Sequence, residues 1–174
     1  FAVVAGRDDL RDEYVEALLA EISMAEPFGP LRAIAFGGGT PSQLPAGGLG
    51  RIVEALAHRF GLDEGAEISL EANPEDWGAD LARGLADAGF NRLSLGAQSF
   101  DPIVLGDLGR LHTPDQARSA VASARDAGFT TVNLDLIFGS PAESEGSWDR
   151  SVAAALACEI DHLSTYALTV ERGT

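Results

Sequence analysis

The residues of this chain that could do chemistry recur at one kind of place, the carboxyl end of an apolar run. Phe36-Gly37-Gly38-Gly39-Thr40-Pro41 follows the run Leu31–Phe36 and precedes the helical pattern Leu49, Ile52, Val53, Leu56, Phe60. Glu71 ends Ala66-Glu67-Ile68-Ser69-Leu70-Glu71, Gln98 lies just past Arg92–Gly96, and Asp135 sits in Thr131–Leu136. Arg110 closes a short helical stretch after Gln98. Glycine allows positive φ and a close backbone approach. Amide groups freed at such a turn can point at a carboxylate, a phosphate or a ribose. Two acids suit an ammonium and hydroxyls, and Arg110 offers a fork for a carboxylate. The set therefore suits a zwitterionic ligand that carries a sugar. Plainer readings stand beside this one. Tight turns need glycine anyway, Glu71 could cap the helix after Asn73-Pro74, and Arg110 could make a surface ion pair. Asp135, between two leucines, is hardest to explain as structure, because an unpaired buried carboxylate is costly.

Alternating elements must position these residues. Asp8 or Asp9 can cap a first helix with the apolar face Leu10, Tyr14, Val15, Leu18, Leu19, Ile22, and Pro27–Pro30 ends it. Strand 31–36, the glycine turn and a helix closed by Gly61 follow. Strand 66–71 leads to a helix over 79–88, then to strand 92–96. Asp101-Pro102 and Thr113-Pro114 each start a helix, as N-cap plus first-turn proline. Strand 131–136, the loop Gly139-Ser140-Pro141, a helix near 147–157 and strand 161–166 complete the order. Asp87-Ala88-Gly89-Phe90 and Asp126-Ala127-Gly128-Phe129 both read as loops from helix to strand. Units of roughly 30 residues imply parallel strands with right-handed crossovers. Five strands are too few for a closed eight-stranded barrel, which needs about 250 residues. An open doubly wound sheet and part of a barrel both remain. In a barrel, Thr40, Glu71, Gln98 and Asp135 would converge on one mouth.

Bulk properties exclude several roles. The 174 residues amount to about one domain. The formal charge of -15 argues against nucleic acid and against an anionic membrane surface. All 12 cations are arginine. One cysteine, Cys158, excludes an intrachain disulfide and a multi-cysteine metal site. It reads as a small core residue, His58, His112 and His162 read as structural, and Trp77 and Trp148 as packing between layers. With no transmembrane segment and no signal peptide, a cytoplasmic setting is expected. The absence of an initial Met suggests a segment of something longer.

Five motifs in order resemble one family. They are Phe-Gly-Gly-Gly-Thr-Pro-Ser (36–42), Glu71-Ala72-Asn73-Pro74, the stretch 91–100 (NRLSLGAQSF), Gly109-Arg110-Leu111-His112, and the stretch 133–141 (NLDLIFGSP). Together they resemble the radical S-adenosylmethionine (SAM) proteins related to oxygen-independent coproporphyrinogen III oxidase. Tyr166-Ala167-Leu168-Thr169-Val170-Glu171 resembles the haem chaperone (HemW) branch more closely. The resemblance runs from about residue 8 to 174.

The resemblance implies an α/β fold, a partial (βα)6-type radical SAM barrel with parallel strands and SAM across the strand ends. It implies that residues 1–174 are a partial core domain, with the first strand and the C-terminal part missing. Gly38, Gly39 and Thr40 would line the methionine end of SAM. Glu71 would meet the ribose, Arg110 the methionine carboxylate, and Gln98 and Asp135 the remaining polar groups. In the family a [4Fe–4S] cluster on Cys-x-x-x-Cys-x-x-Cys cleaves SAM to a 5′-deoxyadenosyl radical. Those cysteines are absent here, so no radical chemistry is expected of this chain by itself, and a cropped segment is the simplest cause. The implied functions are a haem-binding chaperone or, alternatively, oxidative decarboxylation of coproporphyrinogen III, with haem or a porphyrinogen as partner.

Overall fold

The strands pair in the order in which they occur. The computed structural model describes residues 8–170, which hold β1 (Leu31–Phe36), β2 (Leu62–Ala72), β3 (Arg92–Gln98), β4 (Thr131–Phe138) and β5 (His162–Ala167). They form one parallel sheet in the order β1-β2-β3-β4-β5. A doubly wound sheet reverses its strand order at a switch point. No reversal occurs here, so right-handed crossovers put the helices on one face and the sheet curls into a half-barrel. This settles the choice left open by the strand count.

Alternation along the strands builds the two faces. Ile68 and Leu70 on β2, Leu93 and Leu95 on β3, and Val132, Leu134 and Leu136 on β4 are buried against the helices. The intervening Ser69, Glu71, Ser94, Gly96, Asn133 and Asp135 face the concave side. The helices are α1 (Arg11–Met24), α2 (Ala46–Phe60), α3 (Ala79–Asp87), α4 (Pro102–Asp107), α5 (Pro114–Ala127) and α6 (Ser147–Leu156). Leu49 and Val53 from α2, Leu85 from α3, and Ala120, Val121 and Ala124 from α5 close the same core. Trp77 joins it, edge-on to Phe129 at 5.6 Å, with its indole N–H donated to Ser123.

Local signals set the helix ends. Asp101 accepts a bond from the Ile103 amide at the start of α4. Thr113 and Gln116 form a reciprocal capping box on α5. The two Asp-Ala-Gly-Phe loops behave alike: Gly89 and Gly128 take φ of 94° and 100°, and Phe90 and Phe129 bond back to Leu85 and Ala124. The first helix departs from expectation. A 3-10 turn covers Asp8–Leu10, and the N-cap of α1 is Leu10, with no side-chain cap bond. Of the expected apolar face only Val15 is buried, while Tyr14 is 56% exposed. Amphipathic spacing shows which face could be covered, but the covering surface belongs to other elements. Phe1-Ala2-Val3 and Glu171 lie outside the described residues.

Candidate functional site

The carboxyl ends of β1 to β4 and the loops after them surround a cavity of about 240 Å³. Gly39, Thr40, Glu71, Gln98, Arg110 and Asp135 all line it, together with Ala72, Asn73, Ser94 and Gly96. Gly38 is not in the wall, but its amide donates to Glu71 Oε2 at 3.2 Å. Glu71 thus meets the glycine turn and does not cap the following 3-10 turn, whose N-cap Asn73 has no side-chain cap bond. A Cβ on Gly37 would stand 3.1 Å from the Glu71 carboxyl carbon, so the glycine makes room for that carboxylate.

A larger cavity of about 510 Å³ shares Gly39 and Thr40 and lies among α1, β1 and α2. Its wall is mostly apolar, with Leu18, Ile22, Ile34, Ile52 and Leu56. The smaller cavity is the better candidate, because two carboxylates, a guanidinium and two amides converge on it. Closed ligand pockets usually begin at roughly 300 Å³, so a ligand here would lie across the strand ends in an open cleft.

Asp135 has the partners its position demands. Asn133 Nδ2 donates to Asp135 Oδ1 at 2.8 Å, and the Ser94 hydroxyl donates to Oδ2 at 3.2 Å. The second Nδ2 hydrogen goes to Ser94 Oγ at 2.8 Å, and Ser164 donates to Asn133 Oδ1 at 3.1 Å. Every donor in this four-residue hydrogen-bond network has an acceptor, which fixes the carboxylate before any ligand arrives. Asn133 was not among the expected site residues, although its two-residue spacing from Asp135 puts both on one strand face.

Gln98 is held in an unusual backbone. It is the only non-glycine residue with positive φ, 60°, among the described residues, and the β3–β4 register shifts between Leu95 and Gln98. The Ser99 amide bonds to the Ala97 carbonyl at 2.7 Å, which makes Gln98 the apex of a γ-turn of the rare, strained hand. That turn sends the side chain inward, only 8% of the residue being exposed. Arg110 Nη1 donates to Asn73 Oδ1 at 3.2 Å, so Asn73 is a further wall residue that orients the guanidinium. His112 is buried behind the cleft, with Nδ1 2.8 Å from Glu75 Oε2 and Nε2 2.9 Å from the Ala97 carbonyl.

Comparison with known proteins gives this geometry a family. The Radical SAM superfamily description matches residues 3–155. The chain belongs to the radical SAM superfamily. It is 42% identical over 166 residues to the heme chaperone HemW of Mycobacterium tuberculosis, covering 94% of this chain and 43% of that protein. It is 35% identical over 157 residues to the oxygen-independent coproporphyrinogen III oxidase of Paracoccus denitrificans, covering 88% of this chain and 35% of that one. The structure of the Escherichia coli coproporphyrinogen III oxidase HemN superposes with a TM-score of 0.88 at 30% identity, over 96% of this chain and 39% of that chain. This radical SAM chain therefore matches the coproporphyrinogen oxidase group and its HemW branch, and spans less than half the length of these relatives.

The residues present do not fit the iron–sulfur cluster that the family implies. Cluster ligation takes several thiolates, and the chain has one cysteine. Burial pushes the Cys158 thiol above its ordinary range, with Arg118 opposing in part. Among the described residues no group of three or more His, Cys, Asp or Glu could hold a metal ion. No helix among them is long and apolar enough to cross a membrane.

Proposed function

We propose that this chain is the SAM-binding core of a HemW-like radical SAM haem chaperone, acting in the cytoplasm. The observation that carries the reading is the convergence of Thr40, Glu71, Gln98, Arg110 and Asp135 on one cleft in a chain of this family. SAM carries a sulfonium, an ammonium and a carboxylate, a net positive charge. Two carboxylates against one guanidinium complement that charge. Gly39 and Thr40, on the turn that Gly38 ties to Glu71, would take the methionine end, Glu71 the ribose and Arg110 the carboxylate. Gln98 and Asp135 would take the remaining polar groups. SAM would supply the sulfonium whose cleavage characterises the family, and this chain's part is to bind and orient it. The cluster ligands and the haem site would come from segments outside these 174 residues.

Calorimetry with SAM on the full-length protein tests the pocket. Asp135→Asn and Glu71→Gln are each expected to weaken binding about tenfold to a hundredfold, the scale of a lost hydrogen bond to a charged group. Their melting temperatures should change little. Unchanged affinity in either variant removes that residue from the site. The second reading, an oxidase of coproporphyrinogen III, is favoured by the 0.88 TM-score with the Escherichia coli enzyme. Against it, an oxidase must hold several propionates with cations, and the cleft offers one arginine beside two acids. An anaerobic assay with SAM, reductant and coproporphyrinogen III, beside a haem titration, separates the two. Protoporphyrinogen formation at enzymatic rates would reverse the preference, and haem binding without turnover would support it.

A further inference from the structure

We propose that His112 and Glu75 form a clamp that holds Gln98 in its strained turn, and that His112 is thereby a positioning residue for the SAM cleft. The inference rests on the SAM-binding reading above. The His112 side chain is fully buried, and its two ring nitrogens face two acceptors. One is the Glu75 carboxylate at 2.8 Å, the other the Ala97 carbonyl at 2.9 Å. A carbonyl can only accept, so Nε2 donates to Ala97, and Nδ1 and the Glu75 carboxyl share the second hydrogen bond. The Ala97 carbonyl is the one that closes the γ-turn on Ser99. His112 thus bonds to the pivot of the turn that aims Gln98 into the cleft.

The clamp joins three loops that share no local sequence. Glu75 lies two residues after Asn73, in the loop leaving β2. Ala97 immediately precedes Gln98 at the end of β3. His112 lies two residues after Arg110, between α4 and α5. Each loop places a cleft residue next to its clamp residue. Strained backbone persists only where its surroundings over-determine it. Without the imidazole, the Ala97 carbonyl loses its buried donor, and Gln98 is free to relax out of the cleft. No alternative job for the ring is available, since both nitrogens are engaged away from the ligand.

Three variants of the full-length protein test this. His112→Ala should weaken SAM binding about tenfold or more, the scale of a released backbone strain. Glu75→Gln should stay within about threefold of wild type, because an amide can donate to a neutral imidazole that still donates to Ala97. If His112→Ala does not fold, Glu75→Ala, which cuts the clamp at its more exposed end, carries the same expected weakening. Nitrogen-15 spectra of the cluster-free protein should show a hydrogen on His112 Nε2 in wild type and in Glu75→Gln. A purely structural histidine would lower the melting temperature and leave SAM affinity of the folded protein unchanged, and that result overturns the clamp alone. A bare Nε2 in the wild type also overturns it. Wild-type protein that fails to bind SAM overturns the function on which the clamp rests.

Discussion

Gly96→Ala separates ligand binding from folding. A Cβ at position 96 would lie 2.6 Å from Gln98 Nε2, 3.3 Å from Asn73 Oδ1 and 3.7 Å from the Ala72 carbonyl. The backbone of Gly96 has no positive φ, so alanine adds no backbone strain there. Only the first contact is impossible, and its atom is the end of a flexible side chain. Gln98 must withdraw from 2.6 Å to the 3.4 Å of ordinary contact, a move of about 0.8 Å. An off-rotamer side chain costs about 0.5–1.5 kcal/mol. Replacing glycine at a compatible position returns about 0.4–1 kcal/mol through the unfolded state. The two nearly cancel, so the melting temperature should stay within a few degrees of wild type, on the order of 4 °C or less. The cleft, by contrast, loses the position of one of its amides. A hydrogen bond to a charged ligand is worth about 1.5–3 kcal/mol, so SAM affinity should fall about tenfold or more. Calorimetry beside a thermal melt reads both quantities on one preparation. Wild-type affinity in Gly96→Ala would refute the assignment of Gln98 to the ligand. A large drop in melting temperature would refute the claim that the glycine serves the cleft and not the packing.

Two further outcomes test the fold. Leu134 is wholly buried at the centre of β4, so Leu134→Ala should cost about 2–5 kcal/mol in urea unfolding, and a smaller loss would mean the core closes over the gap. Asp161 accepts the Val132 amide at 2.8 Å and Arg125 Nη2 at 2.6 Å, and these bonds, the amide first, hold its carboxyl below the usual range. A depressed carboxylate stabilises the fold above its unfolded value of about 3.9 and loses that contribution as pH falls through the folded one. Asp161→Asn should therefore be less stable than wild type at neutral pH, and the two curves should converge once the pH falls below the depressed folded value. A gap that persists in acid would mean the charge is not what the site uses.

The sequence by itself determined the elements and their ends. Asp101-Pro102, Thr113-Pro114, Gly61 and the two Asp-Ala-Gly-Phe loops act within one helical turn, so their bonds form wherever the chain goes. Period-two alternation determined which strand residues are apolar and which are polar, and it put Glu71, Gln98 and Asp135 at strand ends. Tertiary structure alone decided the rest, because the deciding contacts join residues far apart in the chain. Strand order, and with it the half-barrel, depends on which edges meet. Glu71 turned toward the glycine turn 33 residues earlier, not toward the helix next to it. The carriage of Asp135 by Ser94, Asn133 and Ser164 needs three strands in register. Gln98 shows no local sign of its left-handed turn, since glutamine has no preference for it. The bond that holds that turn comes from His112, 15 residues from the Ala97 carbonyl. Only a folded sheet brings that imidazole, the Glu75 carboxylate and the turn together.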